Sequence, residues 1–214
     1  MNKVSDSVIR RFPVYYRHIL AMQKAGVEYT SARRLQELTG IHKTQIRKDI
    51  GLTGLVGVPR VGHNVNCLVE AIRNFLSWDH PNPAVLVGAG NLGRAILNYQ
   101  GFIESGTQIV AAFDNNPKII GKRVNNIKIY SLDFLKEICS KKDVSIGIIS
   151  TPEKQAQSCA DLLIEAGVYG IWNFTQAQLS HPDNVIVETV DLYRGLGVIS
   201  KRISESENKI KIKK

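Results

Sequence analysis

The stretch Ala84-Val85-Leu86-Val87-Gly88-Ala89-Gly90-Asn91-Leu92-Gly93 decides the fold of this chain. Its four leading apolar residues, two of them β-branched, suit a buried parallel strand, and three glycines follow at the G-x-G-x-x-G spacing of a dinucleotide-binding turn. Gly88 permits the tight turn from strand to helix, Gly90 lets the backbone approach a pyrophosphate, and Gly93 lets the helix pack closely on the strand. We expect phosphates at the N-terminus of that helix, where free N–H groups and the helix dipole favour anions.

An acidic residue follows the glycines at the distance that such a site requires. A second predicted strand, residues 109–113, ends at Asp114, about twenty residues beyond the last glycine, where a carboxylate binds the adenosine ribose hydroxyls. Asp114 favours NAD(H) over NADP(H) because it repels a 2′-phosphate, although Lys118, Lys122 and Arg123 nearby weaken that preference. The two features predict a site for NADH and NAD⁺. A glycine-rich turn in an α/β domain without a nucleotide is the alternative.

Composition narrows the class of protein. The chain has 214 residues, enough for one large or two small domains. It has neither a charged N-terminal region followed by an apolar stretch nor a run of about eighteen apolar residues, so we expect a cytoplasmic protein outside the membrane. Cys67, Cys139 and Cys159 are odd in number and widely spaced, which favours free buried thiols over disulfides or metal ligands. The scattered histidines form no zinc or catalytic pattern, and we expect neither a bound metal nor catalytic residues.

The positive charge of the chain lies at its two ends. The net charge is +9, and residues 1–80 contain 12 Lys and Arg against 6 Asp and Glu. Residues 81–200 contain 10 against 11, and residues 201–214 contain 6 against 2. A basic unit ahead of a neutral one predicts a polyanion-binding module joined to a ligand-binding module. The basic tail, residues 209–214, is expected to be a solvated, mobile end.

Residues 30–50 have the spacing of a helix-turn-helix. Thr30 and Ser31 are candidate caps for a helix that runs to about residue 38, residues 39–41 form a tight turn, and a second helix runs from 42 or 43 to 50. One side of the second helix is apolar, and the opposite side with its flanks is polar. The polar residues are Lys43, Thr44, Gln45, Arg47 and Lys48. Because Gln pairs with adenine, Arg with guanine and Lys with phosphate, this face is typical of a DNA-reading helix. A merely solvated face is the alternative.

The segment after this helix completes a winged domain. Residues 51–62 are dense in glycine and β-branched residues, which predicts a short β-hairpin or wing, and Arg60 lies in it as a further candidate for DNA binding. Asn64 is a candidate cap for a helix to about residue 76, and Pro13 fits the first turn of a helix that ends near residue 24. The sequence therefore predicts a winged helix-turn-helix.

Strands and helices alternate in the second half. Helices are predicted at 132–140 and 154–166, and strands at 144–149, 170–174 and 185–190. This alternation predicts a Rossmann-like, doubly wound parallel sheet whose ligand lies at the carboxyl ends of the strands. Ser150, Thr151 and Asn173 stand at such ends, and they line a nicotinamide pocket or are ordinary loop residues.

The last segment is a one-sided helix. Leu192, Leu196, Ile199 and Ile203 recur at helical spacing, which favours packing on the sheet or a subunit interface. The segment from residue 78 to 83 carries two prolines and no periodicity, so the domain boundary is placed there. We predict a DNA-binding domain over residues 1–80, an NAD(H)-binding domain over 81–190, and a dimerisation helix with a basic tail over 191–214.

Three function classes fit these features. A dehydrogenase needs the glycine turn, a general acid or base near the nicotinamide and a second domain for its substrate. Residues 84–192 suffice for the nucleotide unit alone, and no His or Lys stands out as a base. A DNA-binding regulator, and not an enzyme, is therefore favoured. The alternatives are a small NAD-dependent dehydrogenase and a CoA- or nucleotide-binding module with a structural N-terminal domain.

The chain resembles the Rex family of redox-sensing transcriptional repressors. The resemblance rests on RFPVYYR at 11–17, TQIRKD at 44–49, VGAGNLG at 87–93, NYQGF at 98–102, WNF at 172–174 and VDL at 190–192. It implies a homodimer whose winged-helix domains bind operator DNA, whose Rossmann-like domains bind NADH or NAD⁺, and whose final helix is exchanged between subunits. It further implies that NADH favours a closed dimer that cannot span both half-sites, whereas NAD⁺ permits the DNA-bound form.

The resemblance also assigns roles to residues. It assigns the pyrophosphate to the turn formed by Gly88, Ala89, Gly90, Asn91, Leu92 and Gly93, the ribose to Asp114, and the nicotinamide side to Thr151, Pro152, Asn173 and Phe174. Arg17, Tyr99 and Asp191 match positions that rearrange between the two states, with an Arg17–Asp191 charge pair present in only one. The chain departs from the family in its wing, at residues 52–54 and 59–63, and at Gln176. These departures leave the wing contacts and the operator preference open and are typical of a divergent paralogue.

Overall fold

The computed structural model describes residues 4–99 and 101–211, without the side chains of Leu192 and residues 207–211. The described chain forms two compact units. The first unit comprises the residues up to Pro81 together with Glu104–Gly106, and the second comprises Asn82–Ile103 and the residues from Thr107 onward. Within the described residues, no helix is long and apolar enough to cross a bilayer.

The first unit is mainly helical. Its elements are α1 (Asp6–Ile9), α2 (Phe12–Lys24), β1 (Tyr29–Thr30), α3 (Ala32–Thr39), α4 (Lys43–Gly51), β2 (His63–Asn64) and α5 (Val65–Phe75). The predicted helix-turn-helix is α3 and α4, with Gly40 at a φ of +72° in the turn between them. Ser31 caps α3 by accepting the Arg34 N–H, and Asn64 caps α5 by accepting the Cys67 N–H.

The core of this unit is formed by the apolar stripes of its helices. Phe12 stacks on Phe75 with ring centroids 4.1 Å apart. The fully buried apolar side chains are Phe12, Tyr15, Ile19, Leu35, Ile46, Ile50, Val65, Leu68 and Ile72. Because Ile46 and Ile50 lie in this core, the opposite side of α4 faces outward.

The wing differs from the predicted hairpin. Within residues 51–62 the ladder pairing is a single bridge between Val58 and Gly62, and the strand pairing goes instead from β2 to β1. Gly62, at a φ of +118°, packs so tightly on β1 that a Cβ there would lie 2.2 Å from the Thr30 carbonyl oxygen. A two-residue strand carries no readable periodicity, which is why the sequence did not predict this pairing.

The second unit contains the α/β elements. In chain order they are β3 (Asn82–Val87), α6 (Asn91–Leu97), α7 (Gly101–Glu104), β4 (Thr107–Phe113), β5 (Arg123–Val124), β6 (Ile127–Tyr130), a 3-10 turn (Leu132–Phe134), α8 (Leu135–Lys141), β7 (Ile146–Ile149), α9 (Glu153–Glu165), β8 (Gly170–Asn173), β9 (Ile186–Thr189) and α10 (Leu192–Lys211). The final residue of α7, Glu104, clusters with the first unit.

The strands form one sheet with the order β5-β6-β4-β3-β7-β8-β9. All neighbouring pairs are parallel except β5 with β6. When the parallel strands β3, β4, β6, β7, β8 and β9 are numbered 1 to 6 in chain order, their order across the sheet is 3-2-1-4-5-6, as in a Rossmann fold. The predicted fold class is confirmed. Helices cover both faces: α8 and α9 pack beside Val85 and Val87, and α6 packs beside Ala84 and Leu86.

The β5–β6 hairpin was not predicted. Its turn is Asn125-Asn126, both with positive φ (48° and 64°), as a two-residue type I′ turn requires. Asparagine tolerates this conformation, so the pair of asparagines was a readable turn signal. The strands on either side are only two and four residues long, too short for an alternating pattern to be recognised.

Candidate dinucleotide and DNA sites

The glycine turn lies at the topological switch point between β4 and β7. The Gly88 N–H donates to the Phe113 carbonyl at 2.8 Å, and the Ser150 hydroxyl donates to the Gly88 carbonyl at 2.8 Å. A Cβ at Gly88 would lie 2.7 Å from the Ser150 carbonyl oxygen, and one at Gly93 would lie 2.0 Å from the Gly88 carbonyl oxygen. Two of the three glycines are therefore required by the close packing of the turn itself.

The surroundings of Gly90 differ from those of Gly88 and Gly93. No heavy atom lies within 4 Å of the position that its Cβ would take. It is the N-cap of α6, and among the described residues no side chain bonds to the N–H groups of that helix's first turn. The packing of the protein therefore does not require glycine here, whereas the close approach of a pyrophosphate does. The turn fits a dinucleotide.

Asp114 is tied to the glycine turn. One carboxylate oxygen accepts the Ala89 N–H at 2.7 Å, and the other accepts the Asn116 N–H at 2.8 Å. These bonds hold the half-buried carboxylate at the end of β4, beside the turn. Each carboxylate oxygen has a second lone pair, so both remain able to accept a ribose hydroxyl.

A cavity of about 200 Å³ brings several predicted residues together. Of the predicted set it is lined by Gly88, Gly90, Asp114, Thr151 and Pro152. Ser150, which the sequence placed at a strand end as a candidate for the nicotinamide pocket, also lines it. The remaining lining residues, which sequence reasoning missed, are Val87, Asn115, Leu132, Gln155 and Cys159. Leu132 could have been found by the rule that ligands lie beyond strand ends, but only if the strand before it, β6, had been recognised.

Thr151 carries an unused polar atom in this cavity. Its hydroxyl oxygen is buried and forms no hydrogen bond with the described residues. Burial raises the pKa of the neighbouring Cys159 thiol above its ordinary value, so the thiol is neutral at pH 7. A buried hydroxyl without a partner costs free energy unless a ligand supplies one. The cavity therefore fits a bound polar molecule.

The other predicted cofactor residues do not line this cavity. Asn173 is fully buried, and its amide is used within the protein: Nδ2 donates to the Ala177 carbonyl, and Oδ1 accepts from the Thr175 N–H and hydroxyl. Phe174 packs on Trp172 with ring centroids 4.6 Å apart. Ala89 is buried under the turn, and Asn91 and Leu92 are exposed in the first turn of α6. Their contacts with a cofactor remain predictions.

The three predicted switch residues lie in different units. Arg17 is exposed on α2 in the first unit. In the second unit, Tyr99 is 62% exposed and packs edge-on against Phe102, with centroids 5.1 Å apart. Asp191 caps α10, since its carboxylate accepts the N–H groups of Tyr193 and Arg194. Their role in switching also remains a prediction.

The second helix of the helix-turn-helix presents a free polar face. Lys43, Thr44, Arg47 and Lys48 are exposed, and none of their side chains forms an ion pair within the part of the chain that the structure describes. Gln45 is half-buried, and its amide nitrogen donates to Asp49 at 2.8 Å. The face has the charge and exposure that DNA phosphates require.

Asp49 is the buried charge that sequence reasoning missed. It is 1% exposed and accepts hydrogen bonds from Arg11, through Nε at 2.7 Å and Nη2 at 2.8 Å, and from the Tyr15 hydroxyl at 2.7 Å. Burial raises the pKa of the Asp49 carboxyl, but the bonds from Arg11, Tyr15 and Gln45 outweigh it, so the pKa is below its ordinary value. Burial and the bond to Asp49 raise the pKa of Tyr15.

Arg60 lies at the tip of the wing in a strained conformation. The Val61 N–H donates to the Val58 carbonyl, and Pro59 and Arg60 are the central residues of this turn. Arg60 has a φ of +65° at a position that favours glycine. A cleft of about 390 Å³ separates the wing from α4 and is lined by both Arg47 and Arg60. Burial lowers the pKa of His63 in the same cleft, so this ring is neutral at pH 7.

The described residues contain no group of three or more His, Cys, Asp or Glu that could hold a metal ion. The fold and the two sites define a class of protein: a DNA-binding regulator that carries a dinucleotide-binding domain. Two family models match the chain. One is described as a putative DNA-binding protein N-terminus and matches residues 3–50; the other is described as a CoA binding domain and matches residues 79–177.

Relatives match over nearly the whole chain. The redox-sensing transcriptional repressor Rex of Clostridium botulinum (strain Hall) is 37% identical over 204 residues, which cover 95% of this chain and 97% of the relative. The solved structure of RSP in complex with β-NAD⁺ and operator DNA is 36% identical, covers 100% of this chain and 98% of its own, and has a TM-score of 0.87. RSP in complex with β-NADH is 35% identical, with 99% and 100% coverage and the same TM-score.

The chain belongs to the Rex family of redox-sensing transcriptional repressors. This family consists of repressors and not of enzymes, although its nucleotide-binding domain has a dehydrogenase-like fold. The predicted family and function class are confirmed, and the dehydrogenase and CoA-module alternatives are not favoured.

Proposed function

We propose that the chain represses transcription by binding operator DNA in its NAD⁺-bound or free form, and releases the DNA when NADH binds. One observation carries the proposal: the open space at Gly90, next to Asp114 at the Rossmann switch point, stands in the same chain as a free cationic face on α4. RSP, a relative of this chain, has been solved with β-NAD⁺ and operator DNA and with β-NADH.

The cofactor site is built from the glycine turn and the strand ends. Gly88, Gly90 and Gly93 with the intervening Ala89, Asn91 and Leu92 would hold the pyrophosphate, Asp114 the adenosine ribose, and Thr151 and Pro152 the nicotinamide side with Asn173 and Phe174. The cofactor supplies a nicotinamide ring that is charged in NAD⁺ and neutral in NADH. Thr151 provides an unused hydroxyl and Asp114 a carboxylate beside the turn. The residues bind and distinguish the two forms without consuming them.

The DNA site is built from α4 and the wing. Lys43, Thr44, Gln45, Arg47 and Lys48 on α4 enter the major groove, and Arg60 reaches the neighbouring backbone or minor groove. The cationic residues of this set carry no ion pair among the described side chains. Binding to phosphates therefore displaces counterions only, and affinity falls steeply with salt.

The protein acts as a homodimer. The outer side of α10 leaves Leu196, Ile199 and Ile203 61%, 56% and 54% exposed, a stripe that a second copy of the helix would cover. The final helix is exchanged between subunits. A charge pair between Arg17 and Asp191 holds one domain arrangement and is lost in the other. Tyr99 changes its contacts between the states. An Arg17→Asp variant loses operator release or operator binding, and combining it with Asp191→Arg restores the response.

The organisation of the chain follows from these roles. Residues 1–80 form the DNA-binding domain, 81–190 the NAD(H)-binding domain, and 191–214 the dimerisation helix and basic tail. Its place of action is the cytoplasm of the bacterial cell, where operator DNA lies, with no metal and no membrane as partner.

Calorimetric titration with NADH, NAD⁺ and NADPH tests the cofactor half of this proposal. We expect NADH to bind more tightly than NADPH, because Asp114 repels the 2′-phosphate. Equal affinity for NADH and NADPH would contradict the assignment of Asp114 to the ribose. Turnover of a small carbonyl substrate with NADH would contradict the proposal that the cofactor is only sensed.

A further inference from the structure

We propose that the second unit binds a further ligand, a small molecule with a terminal phosphate group, through Arg94, Lys122 and Arg123, and that this ligand weakens NADH binding. The site is a cavity of about 170 Å³ lined by residues of α6, of the β5–β6 hairpin and of the loop before it. The proposed function uses none of these three cations. Only the effect on NADH rests on that function, because it requires the cofactor to bind at the glycine turn.

The sequence around this cavity is strongly basic. Residues 115–130 contain four Lys and Arg and no Asp or Glu, although the whole of residues 81–200 contains 10 against 11. Within the hairpin, Arg123 stands directly across from Lys128. Two like charges at opposite positions destabilise a pair of strands. The fold of the hairpin therefore does not explain why cations are concentrated here.

The three cations that line the cavity are not neutralised by the protein. None of them forms an ion pair with a side chain that the structure describes, and no carboxylate lines the cavity. Arg94 donates through Nε to the Ala89 carbonyl at 3.1 Å, and Arg123 donates through Nη1 to the Asn126 carbonyl at 2.8 Å. Because a guanidinium has five N–H donors, both arginines keep donors for a ligand.

The walls of the cavity indicate a small ligand with a phosphate group. Ile119, Val124 and Ile129 supply apolar walls, and a pocket that combines such walls with a few convergent polar groups is typical of a small-molecule site. A phosphate monoester carries close to two negative charges at pH 7. Arginine binds phosphate through paired N–H groups and lysine binds it as a point charge. The three cations therefore suit the phosphate, and the walls suit a short carbon chain attached to it.

The cavity is separate from the dinucleotide cavity but is connected to it through one residue. The two cavities share no lining residue. The Ala89 carbonyl accepts from Arg94, and the Ala89 N–H donates to Asp114. A phosphate bound to Arg94 therefore places negative charge beside the turn assigned to the pyrophosphate. Since like charges repel, this ligand lowers the affinity for NADH, and NADH lowers the affinity for the ligand by the same factor.

The 2′-phosphate of NADPH is a second possible source of the same chemical group. It would lie next to the ribose that is assigned to Asp114, whose carboxylate repels it. We therefore assign the cavity to a separate molecule that binds together with the cofactor. The two sources differ in a titration, because a separate molecule forms a ternary complex with NADPH, whereas a 2′-phosphate in the cavity would exclude it.

Calorimetric titration of NADH into the full-length chain, at increasing concentrations of n-butyl phosphate and constant ionic strength, tests the inference. We expect the Kd for NADH to rise roughly 2- to 5-fold and then to reach a plateau, because both ligands bind at once and repel each other. NADPH should show a plateau as well. Inorganic phosphate should act at higher concentration because it lacks the apolar chain, and n-butanesulfonate, with a single negative charge, should act more weakly.

Two lysines of the same loop supply a matched pair of variants. Lys122 lines the cavity, whereas Lys118 is exposed and does not line it. We expect Lys122→Gln to raise the butyl phosphate concentration at half the plateau roughly 10-fold, the effect of losing a hydrogen bond to a charged group. Lys118→Gln removes the same charge and should change it less than about 2-fold. Both variants should melt at the wild-type temperature, which shows that they are folded.

Four results would overturn the inference. A Kd for NADH or NADPH that rises in proportion to butyl phosphate, without a plateau, would mean that the probe takes the place of the cofactor's own phosphates. Equal shifts in Lys118→Gln and Lys122→Gln would mean a diffuse surface charge. A Kd that does not change would mean that no phosphate binds beside the turn. If the wild-type chain binds no NADH, the cofactor assignment fails and this inference fails with it, an outcome that differs from the first three.

Discussion

Arg11 donates two hydrogen bonds to the Asp49 carboxylate, from Nε at 2.7 Å and from Nη2 at 2.8 Å. The two residues are 38 positions apart in the sequence. Asp49 is buried in the DNA-reading helix, while Arg11 precedes α2 and is partly exposed. The pair fixes how the reading helix sits on the rest of the first unit. Four hydrogen bonds converge on this one carboxylate, so the reading face depends on a residue that does not lie on it.

Removing one partner of this pair should destabilise the first unit strongly. Arg11→Met leaves a buried carboxylate without its cation, and we expect a loss of about 3–5 kcal/mol. Urea unfolding followed by Trp78 fluorescence in a Trp172→Phe background measures it, because Trp78 packs on Tyr16 in this unit. The exposed pair Arg33–Glu37 supplies the control: Arg33→Met should cost less than about 1 kcal/mol. Equal small losses for both variants would show that Asp49 needs no cation.

The same carboxylate should make the first unit sensitive to acid. Its pKa is lowered in the folded state, so the native protein binds this proton less readily than the unfolded chain does. The stabilisation is therefore complete above about pH 4, the ordinary carboxyl pKa, and is lost as pH falls through the lowered folded pKa. The Trp78 signal should show a steeper loss of stability below about pH 4 than the Asp49→Asn variant does. Parallel pH profiles of stability for the wild type and Asp49→Asn would contradict the assignment of the acid sensitivity to Asp49.

Gly90 and Gly93 should respond differently to the same change. Gly90→Ala meets no atom of the protein, so its melting temperature without ligand should stay close to that of the wild type, while NADH affinity falls about 10-fold or more because the methyl group occupies the phosphate position. Gly93→Ala would place a Cβ 2.0 Å from the Gly88 carbonyl oxygen, so it should lose both stability and binding. Calorimetry and thermal melting separate the two. Full NADH affinity in Gly90→Ala would contradict the assignment of the cofactor's pyrophosphate to this turn.

Arg60 should strengthen operator binding while lowering the folding stability of the chain. Arg60→Gly relieves a left-handed conformation that costs an L-residue roughly 1 kcal/mol, so thermal stability should stay equal or rise. Operator affinity should fall roughly 10-fold, and the slope of log affinity against log salt should decrease by about 1 if the contact is a phosphate. Lys136→Gln, an exposed change on α8, should leave both unchanged. Unaltered operator binding in Arg60→Gly would show that the wing tip does not contact DNA.

The sequence predicted the elements whose residues repeat at a regular period. The strand and glycine turn at residues 84–93, the helix-turn-helix, and the caps at Ser31 and Asn64 follow from local rules that act over a few residues. The strand order follows because alternating strands and helices have few right-handed solutions. The cavity brought Gly88, Asp114 and Thr151 together as the rule for strand ends requires.

What the sequence did not predict depends on contacts between distant residues. Arg11 and Asp49 carry no common pattern, and only the packing of α2 on α4 brings them together. The amide of Gln45 has two possible orientations in sequence, and Asp49 selects one. The buried Asn173 amide serves the turn after β8, a use that no rule for strand ends distinguishes from a ligand contact. The wing strand pairs with β1 because Gly62 permits a close approach to Thr30.

The proposed function requires that bound NADH releases the operator. The most direct measurement titrates NADH into a complex of the full-length chain with a fluorescently labelled operator duplex at fixed, stated salt and follows anisotropy, with NAD⁺ in a parallel titration. We expect NADH to lower the anisotropy to that of free duplex and NAD⁺ to leave it unchanged. Equal responses to NADH and NAD⁺, or no response to either, would contradict the proposed function.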